Sequence, residues 1–348
     1  MCDLEIDFLE TDDRLLRAGR RGRDWTIESL SARDWKYRSL RTVKVSRGEL
    51  EFFAIWGGLK LGGVRSLLLG GWESPAYWQA LIEAKIRRVR TVGFYESTIH
   101  SRRHSSGIVS LARTWFFKQL DVVVVPGPAA RDSLLTMGLE ESRIVVGFNA
   151  IDVQSFYDAA VEARRSEQLD GQAPGHRFIY VGQFIQRKNV DGLLRAFNSV
   201  RNSGDSLTIV GSGALEEPMK SLADELSLTA SVHFLPPVAN AALARILSKS
   251  HTLVMPSHEE VWGLVANEGL AAGLHVVVTA QSGVAPSISK MRGVYVSKSS
   301  EDDDIAVSMD ASRGSWYGWI EDPQVLEHTP GSYAMTFAKA LLNEDATA

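Results

Sequence analysis

Between Arg177 and Thr279 the chain alternates short apolar runs with stretches of helical spacing, joined by only a few residues each. Arg177–Gly182 (RFIYVG), Ser206–Val210 (SLTIV), Ser231–Leu235 (SVHFL), His251–Met255 (HTLVM) and His275–Thr279 (HVVVT) read as strands. Their near-continuous apolar character suits strands covered on both faces. The intervening stretches Val190–Arg201, Glu216–Leu226, Ala239–Lys249 and Gly263–Ala272 read as helices. In the first of them Leu193, Leu194, Phe197 and Val200 share one face. Strand and helix in strict alternation, with short links and right-handed crossovers, can form only a parallel, doubly wound sheet.

The first half follows the same plan less regularly. Glu51–Ile55, Ser66–Leu69, Thr91–Tyr95, Asp121–Val125 and Arg143–Val146 read as strands, and Leu4–Leu9 as an early one. Ala76–Ile86, Ile108–Gln119 and Ala129–Met137 read as helices. No strand opening into a glycine loop precedes Leu4, so the N-terminal domain is expected to lack its first strand–helix unit. Val161–His176 is polar, holds Gly171, Pro174 and Gly175, and is expected to be a linker. The expected fold is therefore α/β, with two facing Rossmann-like doubly wound domains. The N-terminal domain is placed at 1–160, the linker at 161–176, the C-terminal domain at 177–320 and a helical tail at 321–348.

A chain of 348 residues, 45% hydrophobic and 23% charged, has enough apolar side chains for two such cores and is no disordered polymer. Its one cysteine, Cys2, excludes an internal disulfide and fits a reducing, cytoplasmic setting. No apolar run approaches the roughly 18 residues of a spanning helix, and the acidic start lacks the pattern of a signal peptide. Charge is uneven: residues 1–150 carry a net +5 and residues 151–348 a net −9. The basic half, with clusters at Arg14–Arg23 and Arg87–Arg90, either reflects ordinary surface variation or meets an anionic partner or lipid headgroups. It lacks the interleaved aromatics of a nucleic-acid platform, so nucleic acid is not expected as a partner.

Three stretches carry chemistry. In PSHEEVWGLVANEGLAAGLHVVV (Pro256–Val278) a strand ends, Glu259 and Glu260 occupy a short loop, and a helix opens near Trp262-Gly263. A helix start presents unpaired N–H groups and the positive end of a dipole, a ready phosphate site. Glu260 and Glu268 lie eight residues apart; on spacing alone they also fit a solvated acidic loop and a helix cap. In YVGQFIQRKN (Tyr180–Asn189), Gly182 permits a tight turn, and Arg187 and Lys188 can grip a diphosphate or stand as a solvated pair. In IVGSGALEE (Ile209–Glu217), Gly211 and Gly213 either admit a ligand to the backbone or simply turn the chain. Glu301–Asp304 reads as a solvated acidic loop rather than a metal motif. The aromatics Trp72, Tyr77 and Trp78 suit either core packing or sugar stacking, and Trp316, Tyr317 and Trp319 suit packing of the C-terminal segment.

These three stretches in this order, with VHFLPPV between them, resemble glycosyltransferase family 4, the retaining sugar-nucleotide transferases of the GT-B fold. The resemblance covers residues 175–285 well, around an E-x7-E motif matched by Glu260 and Glu268. LLLGGWESPAYWQALIEAK, VGFYEST and FFKQLDVVVVPGPAARDSLLTMGL match the acceptor domain more loosely. The resemblance implies that Lys188, with Arg187, holds the donor diphosphate and that Glu260 faces the donor sugar. It further implies that Glu268 binds the ribose hydroxyls and that the backbone near Val238 meets the base. Gly182, Gln183, Gly211 and Gly213 would line the donor wall, and the N–H groups of Val261, Trp262, Gly263 and Leu264 would hold the phosphates. Glu96 takes the place where the family often has a catalytic histidine, with His100 second and His104 close by. The implied reaction is transfer of a hexose from a UDP- or GDP-sugar, without metal or further cofactor. The acceptor would be a saccharide, a lipid-linked saccharide or a small molecule, as in polysaccharide biosynthesis. The expected location is the cytoplasm, with peripheral contact at the inner membrane surface. Two departures stand out: Gln183 replaces the family's arginine, and Ser287 stands where a glutamate is common. They keep open a non-catalytic relative that binds a sugar nucleotide or a partner enzyme. A GT-B epimerase or hydrolase is the third reading.

Overall fold

The computed structural model describes residues 8–11, 37–47, 50–171 and 175–343. By contacts the chain divides into two compact units, Met1–Phe94 with Ser106–Val123, and Tyr95–Ser105 with Val124–Ala348. The expected break at residues 161–176 is not where the two units divide.

In the first unit β1 (Phe8–Thr11) and β2 (Tyr37–Leu40) pair in parallel, and β3 (Thr42–Arg47) and β4 (Leu50–Ile55) form an antiparallel ladder. The early strand thus lies at Phe8–Thr11; residues 4–7 of the expected Leu4–Leu9 strand fall outside the described residues. The antiparallel ladder is not part of a doubly wound plan. Its alternation, with Phe53 and Ile55 buried, gives it one covered face. β5 (Ser66–Leu69) and β6 (Arg90–Phe94) are parallel, joined through helix α1 (Pro75–Ile86). Helix α2 (Gly107–Gln119) precedes β7 (Val122–Val125), where the chain passes into the second unit. At the head of β7, Asp121 Oδ2 accepts from Thr91 N–H and Thr91 Oγ1 at 2.7 and 2.8 Å, fixing the start of this segment.

The second unit continues with α3 (Pro128–Thr136), β8 (Ile144–Val146) and α4 (Val153–Glu167). Helix α4 corrects the expected linker: Val161–Glu167 is helical, ending on Gln168 in the left-handed region. Phe156, Ala160 and Ala163 are buried along one face, an amphipathic stripe that the polar composition of the stretch hides. There follow β9 (Arg177–Val181), α5 (Val190–Val200), β10 (Ser206–Val210), α6 (Glu216–Glu225) and β11 (Val232–Leu235). Next come α7 (Asn240–Ser248), β12 (Thr252–Met255), α8 (Leu264–Ala271), β13 (His275–Thr279), α9 (Ala285–Ile288) and β14 (Val294–Ser297). The last helices are α10 (Asp302–Gly314) and α11 (Pro330–Leu342).

Strands β9 to β14 form one six-stranded parallel sheet in the order β11-β10-β9-β12-β13-β14. Alternate residues feed two cores. Phe178, Tyr180, Leu207, Ile209, Val254 and Val277 join α5 and α10 on one side. Ile179, Val210, Leu253, Val276 and Val278 join α4, α7 and α8 on the other. The acidic run expected as a loop is the first turn of α10, where Asp302, Asp303 and Asp304 face the positive end of the helix dipole. The late aromatics tie the C-terminal segment to the second unit: Trp316 Nε1 donates to Gly171 O and Trp319 Nε1 to Ser250 O, both at 2.9 Å.

Candidate functional site

The strand order of the six-stranded sheet reverses between β9 and β12, the place where open α/β sheets leave a crevice at the carboxyl ends of their strands. The loops after both strands carry the charged candidates. After β9, Gly182 N–H donates to Val210 O and Phe184 N–H to Ser212 O, so this loop lies along the loop after β10. The contact requires glycine: a Cβ at Gly211, whose φ is +151°, would fall on the carbonyl oxygen of Gly182. A Cβ at Gly213 would likewise meet the Phe184 backbone. Both glycines therefore have a packing reason in addition to any role toward a ligand.

Gln186–Lys188 forms a single 3-10 turn that ends on Asn189 in the left-handed region, φ +52°. The buried Asn189 carboxamide donates to Pro256 O at 3.1 Å and Ser300 O at 2.8 Å. His258 N–H donates to Arg187 O at 2.9 Å. These bonds lock the β9 loop to the β12 loop and aim Lys188 at Glu260. Lys188 Nζ and a Glu260 oxygen form an ion pair, and the Arg187 guanidinium lies 3.9 Å from the other oxygen. Glu260 is 8% exposed, so its charge is compensated by two cations rather than by water. The residues expected to serve diphosphate and sugar separately are thus bonded to each other.

Glu260 also anchors the loop through its backbone: Gly283 N–H donates to Glu260 O and Val284 N–H to Trp262 O. A Cβ on Gly283 would collide with Val261 O and approach Thr98 Cγ2 at 3.0 Å. Gly283 therefore admits the Val261 backbone on one side and Thr98, two residues after Glu96, on the other. Helix α8 starts at Leu264 after Gly263, whose φ of +102° turns the chain into the helix axis. Its first N–H groups lack intrahelical partners by construction. Trp262 is buried against Phe148, ring centroids 5.2 Å apart and edge-on, with its indole N–H unbonded. One turn into α8, burial pushes the Glu268 carboxyl up to about 7. Beside it Asn267 donates to Asn149 O at 2.8 Å, while its own oxygen is buried without a partner.

Glu96 belongs to the same unit. It follows Tyr95, whose N–H donates to Val124 O at 3.1 Å. Its side chain reaches solvent, yet the surrounding protein raises its carboxyl above the usual range. The Tyr333 hydroxyl of α11 is buried without a hydrogen-bond partner, and its pKa is raised by burial and by the Glu96 charge. His100 and His104 are exposed on the following loop. Gln183 is exposed, and its carbonyl accepts from Tyr180 Oη at 2.9 Å. Val238 is half-buried after β11. Ser287 sits under Gly127, where a Cβ would meet Ser287 Oγ and Trp262 Cζ3 at 2.6 Å each.

The structure therefore gathers Lys188, Arg187, Glu260 and the start of α8, sets Gly182, Gly211 and Gly213 on adjoining loops, and puts Glu268 within α8. Gly283 was expected from the sequence to serve a close backbone approach; Asn189, Thr98 and Tyr333 were not found from it. Of these three only Asn189 had a local signal, an asparagine directly before a helix. Among the described residues no group of three or more histidine, cysteine, aspartate or glutamate side chains is arranged to hold a metal.

Residues 164–311 match the family model described as glycosyl transferases group 1. An uncharacterized glycosyltransferase of Methanocaldococcus jannaschii is 25% identical over 207 residues, 58% of this chain and 52% of that protein. The chain spans about half the length of the curated relatives it matches. Among solved structures, a glycosyltransferase from Rickettsia africae superposes with a TM-score of 0.68 at 11% identity, over 99% of this chain and all of that one. Anabaena HepE in complex with UDP and glucose does so with 0.62 at 14%, over 98% and 96%. The fold is α/β with parallel sheets, and these neighbours are GT-B glycosyltransferases.

Proposed function

We propose that this chain is a glycosyltransferase that moves a hexose from a nucleoside diphosphate donor to a saccharide, lipid-linked or small-molecule acceptor. The observation that carries the reading is the convergence of Lys188, Arg187, Glu260 and the opening of α8 where β9 and β12 diverge. Breaking the bond from the anomeric carbon to the diphosphate oxygen builds negative charge on the departing diphosphate. Two cations and a helix start stabilise that charge without reorganising. The Glu260 carboxylate, released from Lys188 as the diphosphate takes its place, turns to the sugar hydroxyls. Glu268 accepts from the ribose hydroxyls, Gly182, Gln183, Gly211 and Gly213 line the donor wall, and the backbone at Val238 faces the base. Glu96 orients the acceptor hydroxyl. Same-face transfer with retention is the outcome this reading expects, as the resemblance to glycosyltransferase family 4 implies. The UDP bound to HepE supports UDP as the first donor base to try, with GDP second. Metal and further cofactors have no part in this reading, and the cytoplasm is its setting.

The rival, a non-catalytic binder, rests on Gln183 and Ser287. The two separate experimentally. Thermal-shift binding against UDP, GDP, ADP and dTDP without metal should give a selective rise in Tm, because only the folded state binds. Release of the nucleoside diphosphate from the matching sugar nucleotide, dependent on acceptor, supports transfer. Binding with no turnover across an acceptor panel supports the rival, and no shift with any nucleotide refutes transfer and leaves the rival only as a binder of a partner enzyme.

A further inference from the structure

Helices α1 and α2 of the first unit expose an apolar face that their own core does not use. On α2, Ile108, Leu111, Ala112 and Trp115 recur at the i, i+3, i+4, i+7 spacing of one helix stripe, yet Ile108 is 85% exposed, Leu111 70% and Trp115 50%. The opposite face already supplies the core through Phe116 and Phe117, both buried. Trp115 stacks on Trp78 of α1, rings 5.5 Å apart and nearly parallel, which joins the two helices into one surface. From Trp78 the stripe continues along α1 through Ile82, 53% exposed, and Ile86, 77% exposed. Between the helices lies an open groove of about 550 Å3 lined by Trp78, Ile108, Leu111, Ala112, Trp115 and Lys118, with scarcely a polar atom in it. An isolated surface leucine needs no explanation; a contiguous, grooved patch of this kind marks an interaction surface.

Charge selects the partner. The groove has a lysine and no carboxylate among its lining residues. Helix α2 contains no acidic residue, and the chain from Ser97 to Leu120 holds four lysines and arginines and no aspartate or glutamate. At the end of α1, directly after Ile86, stand the exposed Arg87, which pairs with Glu83 one turn back at 3.1 Å, and the exposed Arg88. Tryptophans beside an apolar stripe with cations at its margin match the layering of a bilayer surface, where acyl chains lie beneath anionic headgroups. Among the described residues no helix is long and apolar enough to cross a membrane, so the fit is to its surface.

The structure assigns this face, in our reading, to docking on an anionic lipid bilayer: Ile108, Leu111, Trp115 and Ile86 enter the interface, and Arg87, Arg88 and Lys118 meet the headgroups. The assignment deepens the proposed function by favouring an acceptor presented at a membrane, but it stands on the first unit alone.

The test is co-sedimentation of the full chain with vesicles of phosphatidylcholine alone and of phosphatidylcholine mixed with phosphatidylglycerol. Wild type should bind the mixed vesicles, bind the neutral ones weakly, and be released by salt. Leu111→Glu and Trp115→Ser should each weaken binding about tenfold or more by removing apolar insertion. Arg88→Glu should weaken it only on the anionic vesicles. Nucleotide thermal shifts on the same variants separate this proposal from the donor site and report folding: unchanged shifts with lost sedimentation support it. Wild-type protein that ignores both vesicle types overturns it, as do variants that sediment like wild type. A self-association that Leu111→Glu abolishes, without vesicle binding, also overturns it and assigns the face to a second copy of the chain.

Discussion

Glu268 offers the most direct check on the site, because its carboxyl is raised by burial alone, from 4.5 to about 7. Between those values the folded protein keeps a proton that the unfolded chain has released. Stability therefore falls as pH rises through this window and is flat above it. A shift of this size corresponds to at most about 3 kcal/mol, at roughly 1.4 kcal/mol per pKa unit. Glu268→Gln keeps the shape and removes the titration. The variant should match wild type within about 1 kcal/mol near pH 5 and exceed it by up to about 3 kcal/mol at about pH 8. For a unit of this size that is a gain in Tm of roughly 6–12 °C. Thermal unfolding at both pH values reads it. Binding gives the complementary sign: ribose hydroxyls that donate to the carboxylate replace missing water and favour ionisation, so nucleotide binding near neutrality should release a proton. Calorimetry in buffers of different ionisation enthalpy should show that release for wild type and none for Glu268→Gln, whose affinity should be about tenfold lower. A Tm difference between the two proteins that is the same at both pH values would refute the argument, since it would mean that the carboxyl titrates where exposed glutamates do.

Lys188→Ala should cost more stability than Glu260→Gln, because it leaves a buried carboxylate with only Arg187 at 3.9 Å; urea unfolding should show about 3 kcal/mol for the first, about 1 for the second, and partial recovery in the double variant. Both single variants should abolish donor turnover, and full activity in either would remove the site assignment. Gly211→Ala should lose about 3 kcal/mol or more in the same measurement and with it nucleotide binding, because its Cβ falls on Gly182 O. At the amino ends of the strands, burial holds His176 and His251 down to about 3, from 6.5. The unfolded chain there binds protons that the folded one does not, so stability is lost as pH falls from 6.5 toward 3. His251→Phe, which keeps the stacking on Trp316, should reduce that acid slope by about 1.4 kcal/mol per pH unit in thermal scans across the window.

The second unit was legible because the central strands of its six-stranded sheet are largely buried on both faces and punctuated at both ends. Ser206–Val210 and His275–Thr279 were expected at the bounds they have, and β9, β11 and β12 within one residue; β14 was not among the expected strands. The α4 helix was missed for a compositional reason: Val161–Glu167 is VEARRSE, whose single valine gives no visible period, although Ala160 and Ala163 are small enough to be buried by close approach. Of the antiparallel ladder β4 was expected, at Glu51–Ile55 against Leu50–Ile55 found, while its partner β3 and their pairing were missed. Thr42–Arg47 holds only two apolar residues, Val43 and Val45, too short an alternation to stand out from a loop. The acidic run before α10 shows the same limit, since charge alone does not say whether an aspartate cluster is solvated or caps a helix.

Within the site, residue type and spacing revealed the charged groups and hid the parts that aim them. Glu260, Glu268, Arg187 and Lys188 stand out in a sequence because charge inside an apolar frame is rare. Thr98 and Tyr333 do not, because each acts through a tertiary contact with a segment far along the chain. The pairing of Lys188 with Glu260 was likewise beyond sequence, since 72 residues separate them and the link is made by Asn189 bridging Pro256 and Ser300. That bridge explains why the pair forms: an αL asparagine ends the 3-10 turn, stops the β9 loop from following its strand direction, and leaves Lys188 no route except toward the β12 loop. The same argument limits what Gln183 costs. Arg187 follows Gln183 on the same loop and lies 3.9 Å from Glu260, so a diphosphate held there as proposed would meet a cation without an arginine at residue 183.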